Sequence, residues 1–143
     1  MHILSQSIFF HVVDVLFHQN QIQIFGFGEK KAIHFYERDC SIQRRFQKII
    51  EESPAPKIDT EIINKMAESA VNFATNQKYE GAGTIEFIYD VDEKKFYFLE
   101  MNTRIQVEHP VTETITNSDL VEMQIKFALG IDFDLTEQSK INR

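Results

Sequence analysis

The sequence is short of several things, and each shortage excludes a class of function. It holds one cysteine, Cys40, so neither an intrachain disulfide nor a cysteine-built zinc cluster can form. A single thiol suits a reducing compartment: the cytoplasm, or the mitochondrial matrix of a eukaryote. Lysine and arginine number 15 against 22 acids, and a net charge of −7 does not suit a nucleic-acid or anionic-membrane partner. No apolar run approaches the ~20 residues needed to span a bilayer. The opening "MHILSQSIFFHVVDVLF" is apolar, but it has no basic n-region and no small-residue cleavage site. His11 and Asp14 interrupt it, so it reads as a buried strand or helix, or else as the ragged start of a chain that begins within a larger domain, rather than a signal peptide. Internal repeats and low-complexity tracts are missing too. The "GFG" at 26–28 is no phosphate loop, because no glycine-rich run after a strand opens a helix with a lysine.

What remains is ordinary globular composition, 43% hydrophobic and 26% charged over 143 residues, which fits one domain. A chain of that size buries roughly 70% of its extended-chain surface. Residues 21–38 alternate, break at glycines and resume, which predicts a β-hairpin. "ESPAPK" (52–57) reads as a stiff connector. Asp59 or Thr60 can then cap a helix to about Gln77, with Ile62, Met66, Ala70 and Phe73 on one face. "GAGTIEFIYD" and "KKFYFLEMN" are strands around a polar turn. A last helix is expected at 118–129, capped by Asn117 or Ser118 and stopped at Gly130, with Leu120, Met123, Phe127 and Ala128 apolar. An irregular polar segment separates it from the second hairpin. The layout is α+β with an antiparallel sheet.

The chemistry concentrates in "FYFLEMNTRIQVEHPVTE" (96–113). Side chains alternate along a strand, so Glu100 and Asn102 share a face, with Leu99 and Met101 opposite. A three-residue turn at 92–94 would set Glu86 directly across from Glu100. Facing carboxylates repel unless something neutralises them, as Mg²⁺ with its preference for hard oxygen ligands would. The alternative is that one acid lies idle at a solvent-facing edge. Beyond the strand, Arg104 offers a planar fork for a carboxylate, bicarbonate or phosphate. Gln106 can donate to the same anion, and Glu108 can accept a proton.

"FLEMNTRIQVEHPVTE" resembles the signature segment of biotin carboxylase, the ATP-grasp enzyme of biotin-dependent carboxylases. "ERDCSIQRRFQKIIEESPAP" (37–56) and "YEGAGTIEF" (79–87) are similar to other family segments, in the right order. The resemblance covers about residues 19–135, leaving 1–18 unmatched and 136–143 as a tail. It implies an ATP-grasp-like antiparallel sheet with flanking helices, and an incomplete one. By the resemblance, Glu86 and Glu100, with Asn102 beside them, would hold Mg²⁺ or Mn²⁺ against ATP phosphates. Lys48, Arg104, Gln106 and the Val107 backbone would hold bicarbonate, Glu108 would be its base, and Gln43 would lie near the nucleotide. Phe46 stands where the family has histidine, and Gln19 and Gln21 where it has histidine and glutamate. The glycine-rich lid, the upstream ATP-binding lysine, the N-terminal substrate subdomain, a later arginine and the biotin-bearing A-M-K-M motif are not in the sequence. Biotin would ride on a separate carrier, and a missing N-terminal half or a carboxylase subunit would be a partner. Two functions follow: biotin carboxylation as part of a larger enzyme, or a non-catalytic remnant or subunit-binding module that still binds Mg²⁺.

Other residues read as structural. Cys40 is a packed small residue, and His2, His11, His18 and His34 show no ligand spacing. Phe87, Tyr89, Tyr97 and Phe98 are expected to line the sheet and core, and His109 to support the anion loop. Arg38, Arg44 and Arg45 form either an electropositive wall or ion pairs with Glu37, Glu51 or Glu52.

Overall fold

The computed structural model describes residues 17–45 and 47–132. The opening segment to residue 16, Phe46 and the tail from residue 133 lie outside those residues, so the expectations for His2, His11 and Phe46 do too.

One four-stranded antiparallel sheet organises the chain. Its strands are β1 (Phe17–Phe27), β2 (Ala32–Asp39), β5 (Glu80–Asp90) and β6 (Lys95–Asn102), in spatial order β2-β1-β5-β6. The first hairpin therefore starts four residues before the expected 21 and ends one after 38. A two-stranded ribbon, β3 (Gln43–Arg44) and β4 (Gln47–Lys48), follows β2.

Alternation sorts the strands into two faces. Ile22 and Ile24 of β1 and Ile85, Phe87 and Tyr89 of β5 pack under helix α1 (Thr60–Asn76). Fully burying such a side chain is worth roughly 1.5–3 kcal/mol. The buried stripe of α1 is Ile63, Met66, Ala67, Ala70 and Ala74; Ile62 is only partly buried and Phe73 is 39% exposed. The stripe centres on the alanines, whose small side chains let the helix lie close to the sheet. Asp59 sits at the N-cap, but its side chain makes no cap bond and instead pairs with Lys94 at 3.5 Å. Close approach also explains Gly26: a Cβ there would lie 2.0 Å from the Tyr79 carbonyl oxygen.

Phe25, Phe35 and Ala82 face the other way, against Leu120 and Met123 of helix α3 (Leu120–Ala128). The cap of α3 is Asp119, whose carboxylate accepts from the Glu122 N–H at 2.7 Å, and not Asn117 or Ser118. Asn117 is instead the left-handed C-cap of a helix not expected from the sequence, α2 (His109–Thr116). Pro110 lies in its first turn, where a missing N–H costs nothing. Gly130, with φ of 66°, follows α3 as expected.

The second hairpin reaches its expected pairing by an unexpected route. Glu86 does stand across from Glu100, yet the connection is four residues long, with Asp90 opposite Lys95. A β-bulge makes up the difference: Phe87 pairs with Phe98 and Glu86 with Glu100, leaving Leu99 as the extra residue. Met101 thus packs on the α1 side with Phe96, while Leu99 is 44% exposed. Phe87 and Tyr89 are core residues, but Tyr97 and Phe98 are 51% and 52% exposed. β6 is the sheet edge, and among the described residues Phe98 has Phe73 and Phe87 as ring neighbours, at 5.4 and 6.4 Å.

Candidate active site

On the face away from α1, a polar row crosses the whole sheet. Arg38 of β2 pairs with Gln21 of β1, Gln21 with Glu86 of β5, and Glu86 with Glu100 of β6. The first three are buried and Glu100 is exposed, so the row runs from the interior to an open edge.

Glu86 is the point on which donors converge. Its Oε1 accepts from Gln21 Nε2 and Lys48 Nζ, both at 2.8 Å, from Asn102 Nδ2 at 2.9 Å and from Gln106 Nε2 at 3.4 Å. Its Oε2 accepts from Gln19 Nε2 at 2.6 Å. Asn102 also reaches Glu100 at 3.3 Å, tying the two acids together. The Lys48 ammonium and four amides already answer the charge of Glu86, so repulsion from Glu100 does not by itself call for a metal. Among the described residues no group of three or more His, Cys, Asp or Glu forms a metal cage. The carboxylates of Glu86 and Glu100 are hard-oxygen donors that could hold Mg²⁺ or Mn²⁺, with waters and phosphates completing the shell, while Asn102 lies beside them with its amide nitrogen turned to both acids.

Arg38 is the residue that the sequence left undecided. It is fully buried, and each of its donors is used. Nε donates to Glu51 Oε2 at 3.0 Å. One terminal nitrogen donates to Gln23 at 3.0 Å and Thr112 at 2.6 Å, the other to Gln21 at 3.0 Å and Gln106 at 3.1 Å. Of the two readings the ion pair holds, with Glu51 as the partner; Arg44 and Arg45 are exposed. Because Arg38 takes the Gln106 carbonyl oxygen, the amide nitrogen of Gln106 must turn toward Glu86. A signal for this cluster was present: Gln19, Gln21 and Gln23 recur at period two in a largely buried strand, and "ERD" (37–39) is charged where a strand should be apolar.

The loop after β6 brings part of its expected set together. Lys48 bridges Glu86 and, at 3.4 Å, Glu108. Gln106 is buried beside them, and His109 Nδ1 bonds the Gln106 carbonyl at 2.8 Å, the supporting contact expected of it. Arg104 and Val107 are exposed at the rim, and Arg104 bonds the Ile105 carbonyl at 3.2 Å. Gln43 Nε2 joins the cluster through Gln19 at 2.7 Å.

Four ionisations respond to this packing. Burial works against the Lys48 ammonium, but its bond to Glu86 and the nearby negative charges hold its pKa above the ordinary lysine value. Burial also acts to raise Glu108, yet its own backbone N–H, Glu51 and Lys48 pull it below the usual carboxylate range. Glu108 stands at the N-cap of α2, where the helix dipole also favours negative charge. Burial pushes Glu51 up to about 7, against the pull of Arg38. Cys40, buried and with its thiol also raised by burial, donates to the Gln19 carbonyl at 3.3 Å. It is a packing residue. His18 pairs with Asp39 at 3.0 Å.

An antiparallel sheet with three flanking helices and one acid- and amide-bearing face is the arrangement of an ATP-grasp-like domain, here an incomplete one. The chain belongs to the family of the carbamoyl-phosphate synthase L chain ATP-binding domain, whose family model matches residues 16–136. Its homologues are biotin carboxylases and carboxylase alpha subunits. It is 52% identical over 122 residues to biotin carboxylase 1 of Bacillus subtilis, covering 85% of this chain and 27% of that protein. It is 54% identical over 118 residues to the mitochondrial methylcrotonoyl-CoA carboxylase subunit alpha of Mus musculus, covering 82% of this chain and 16% of the relative. The fold superposes on a biotin carboxylase–βγ-ATP complex from Campylobacter jejuni with a TM-score of 0.82 and 44% identity, over 88% of this chain and 28% of that one. The chain thus spans between about a sixth and just over a quarter of the length of these relatives.

Proposed function

We propose that the chain supplies the metal- and bicarbonate-binding wall of a biotin carboxylase, an ATP- and bicarbonate-dependent activity that carboxylates biotin on a separate carrier domain. The observation that carries the reading is the convergence of Lys48, Gln106 and Glu108 beside the Glu86–Asn102–Glu100 group. Arg104 and Gln106, with Lys48 and the Val107 N–H, bind and orient bicarbonate. Glu108 takes the bicarbonate O–H proton, so the freed oxygen lone pair can attack the γ-phosphorus of ATP and give carboxyphosphate and ADP. Mg²⁺ or Mn²⁺ held by Glu86, Glu100 and Asn102 would neutralise the ATP phosphates. Gln43, joined to the group through Gln19, would lie near the nucleotide. Cys40 as the sole thiol supports a reducing compartment, cytoplasm or mitochondrial matrix.

The test is phosphate release from Mg·ATP in the presence of free biotin, with and without bicarbonate, comparing the chain with Glu108→Gln. Circular dichroism reports folding. Bicarbonate-dependent turnover lost in Glu108→Gln is the expected result. A folded chain that binds Mg²⁺ but releases no phosphate, alone or with added carboxylase subunits, would establish the non-catalytic module instead.

A further inference from the structure

A chain of side-chain amides enters the site from the β3–β4 ribbon. Gln43 of β3 uses its Nε2 twice, donating to the Cys40 carbonyl at 2.9 Å and to Gln19 Oε1 at 2.7 Å. Gln19 of β1 donates in turn from its own Nε2 to Glu86 Oε2 at 2.6 Å. Both ends of this chain can only accept: a backbone carbonyl at one, a carboxylate at the other. The direction of each bond between them is therefore fixed. The Cys40 oxygen demands the nitrogen of Gln43, that nitrogen demands the oxygen of Gln19, and the nitrogen of Gln19 is left facing Glu86.

The two oxygens of Glu86 are held differently. Oε1 accepts from Gln21, Lys48, Asn102 and Gln106, whereas Oε2 accepts, among the described residues, from Gln19. A carboxylate offers about four lone-pair sites over its two oxygens, so Oε1 is filled and Oε2 keeps room for a further partner. Gln19 stands beside that open position. An amide oxygen there would add a hard ligand for a divalent cation, and an amide nitrogen opposes one.

We propose that Gln19 is a positioning residue whose orientation is set by Gln43, and that through it Gln43, which bonds to neither acid, governs how tightly Glu86 holds a divalent cation. The proposal rests on the reading of Glu86 as a ligand of Mg²⁺ or Mn²⁺. With Gln43 donating, the amide hydrogen of Gln19 takes up part of the Oε2 charge and stands in the path of the cation, so affinity is held down. When Gln43 stops donating, Gln19 is released to turn its oxygen to Glu86, and two oxygens then face the same opening.

The test compares wild type, Gln43→Glu, Gln43→Met, Gln19→Leu and the Gln19→Leu/Gln43→Glu double variant, with circular dichroism to confirm folding. Gln43→Glu puts an acceptor where a donor stood, which draws the Gln19 nitrogen away from Glu86. Gln43→Met removes the donor without adding charge, and serves if the charged variant does not fold. The first readout is the ¹⁵N-labelled side-chain amide signal of Gln19, assigned by its loss in Gln19→Leu; it should be displaced in both Gln43 variants. The second is Mn²⁺ titration followed by electron paramagnetic resonance. Binding should tighten about tenfold in Gln43→Glu, and most of that gain should vanish in the double variant, where only the attraction of the added charge remains. A Gln19 signal unmoved by either Gln43 variant overturns the proposal, as does a gain equally large without Gln19. Glu86→Gln separates the two claims. If it binds Mn²⁺ as tightly as wild type, the reading of Glu86 as a ligand falls, and the Gln19 signal alone then upholds or overturns the amide chain.

Discussion

Replacing Arg38 with methionine tests whether the buried guanidinium holds the site wall together. The substitution roughly keeps volume but removes five donors from a fully buried position. Glu51 loses its cation at 3.0 Å, and losing one member of a buried pair costs about 3–5 kcal/mol. The oxygens of Gln21, Gln23, Gln106 and Thr112 lose their donor as well, at about 1–3 kcal/mol for each that finds no substitute. Glutamine side chains can rotate to recover part of this, and Glu51 can take up a proton, so about 4 kcal/mol is the expected net loss. That is a large share of the ~5–15 kcal/mol that holds a domain folded. With a urea slope of about 2 kcal/mol/M, the unfolding midpoint followed by circular dichroism should fall by about 2 M. Arg38→Lys keeps a charge near Glu51 but offers one nitrogen where three were used, and should fall between wild type and methionine. A midpoint for Arg38→Met within about 0.5 M of wild type would refute the reasoning.

Other outcomes follow from single contacts. Asn20 is fully buried and, among the described residues, neither amide atom has a partner, so Asn20→Leu should raise stability by about 1–2 kcal/mol in the same urea assay; a loss would show that the amide is satisfied. Lys48→Met removes the ammonium 2.8 Å from Glu86, so Mn²⁺ titrated into the chain and followed by electron paramagnetic resonance should bind several-fold tighter. Unchanged or weaker binding would count against Glu86 as a ligand. Stability should also depend on pH in two windows. The folded-state pKa of Glu51 is raised, so its contribution is present at low pH and lost as pH rises through about 7. That of Glu108 is lowered, so its contribution is present above the ordinary carboxylate range and lost on acidification. The urea midpoint should therefore decline toward alkaline pH, and Glu51→Gln should flatten that decline.

Much of the fold was legible because the periodic segments are strong. α1 begins at Thr60 and ends one residue short of Gln77, and both hairpins form, because apolar spacing and turn residues agree there. α2 was hidden by its composition: Pro110, Val111, Thr112, Thr114, Ile115 and Thr116 are poor helix formers, and packing against β2 outweighs propensity. In the site, Glu86, Asn102, Gln106 and Glu108 could be found in one signature run and its partner strand. Arg38 could not be assigned from sequence, because its five acceptors come from β1, the connector after β4, the loop before α2, and α2 itself. Of that convergence only the period-two glutamines of β1 leave a trace in the sequence. Nor could Glu51 be assigned, since its Arg38 partner lies on β2 and its pKa is raised by burial and by the Glu108 charge from fifty-seven positions away.

The bulge at Leu99 makes β6 two segments running out of phase. Residues 95–98 keep time with the core, and 100–102 keep time with the acids; a strictly regular strand could satisfy only one of them. Anchored at the turn, regular pairing would swing Glu100 beneath α1; anchored at the acids, it would turn Phe96 and Phe98 out to the open face. Leu99 absorbs the half-step. The packing half and the chemical half of this strand are therefore free to vary independently, and a substitution on one side of residue 99 should leave the aim of the other side unchanged.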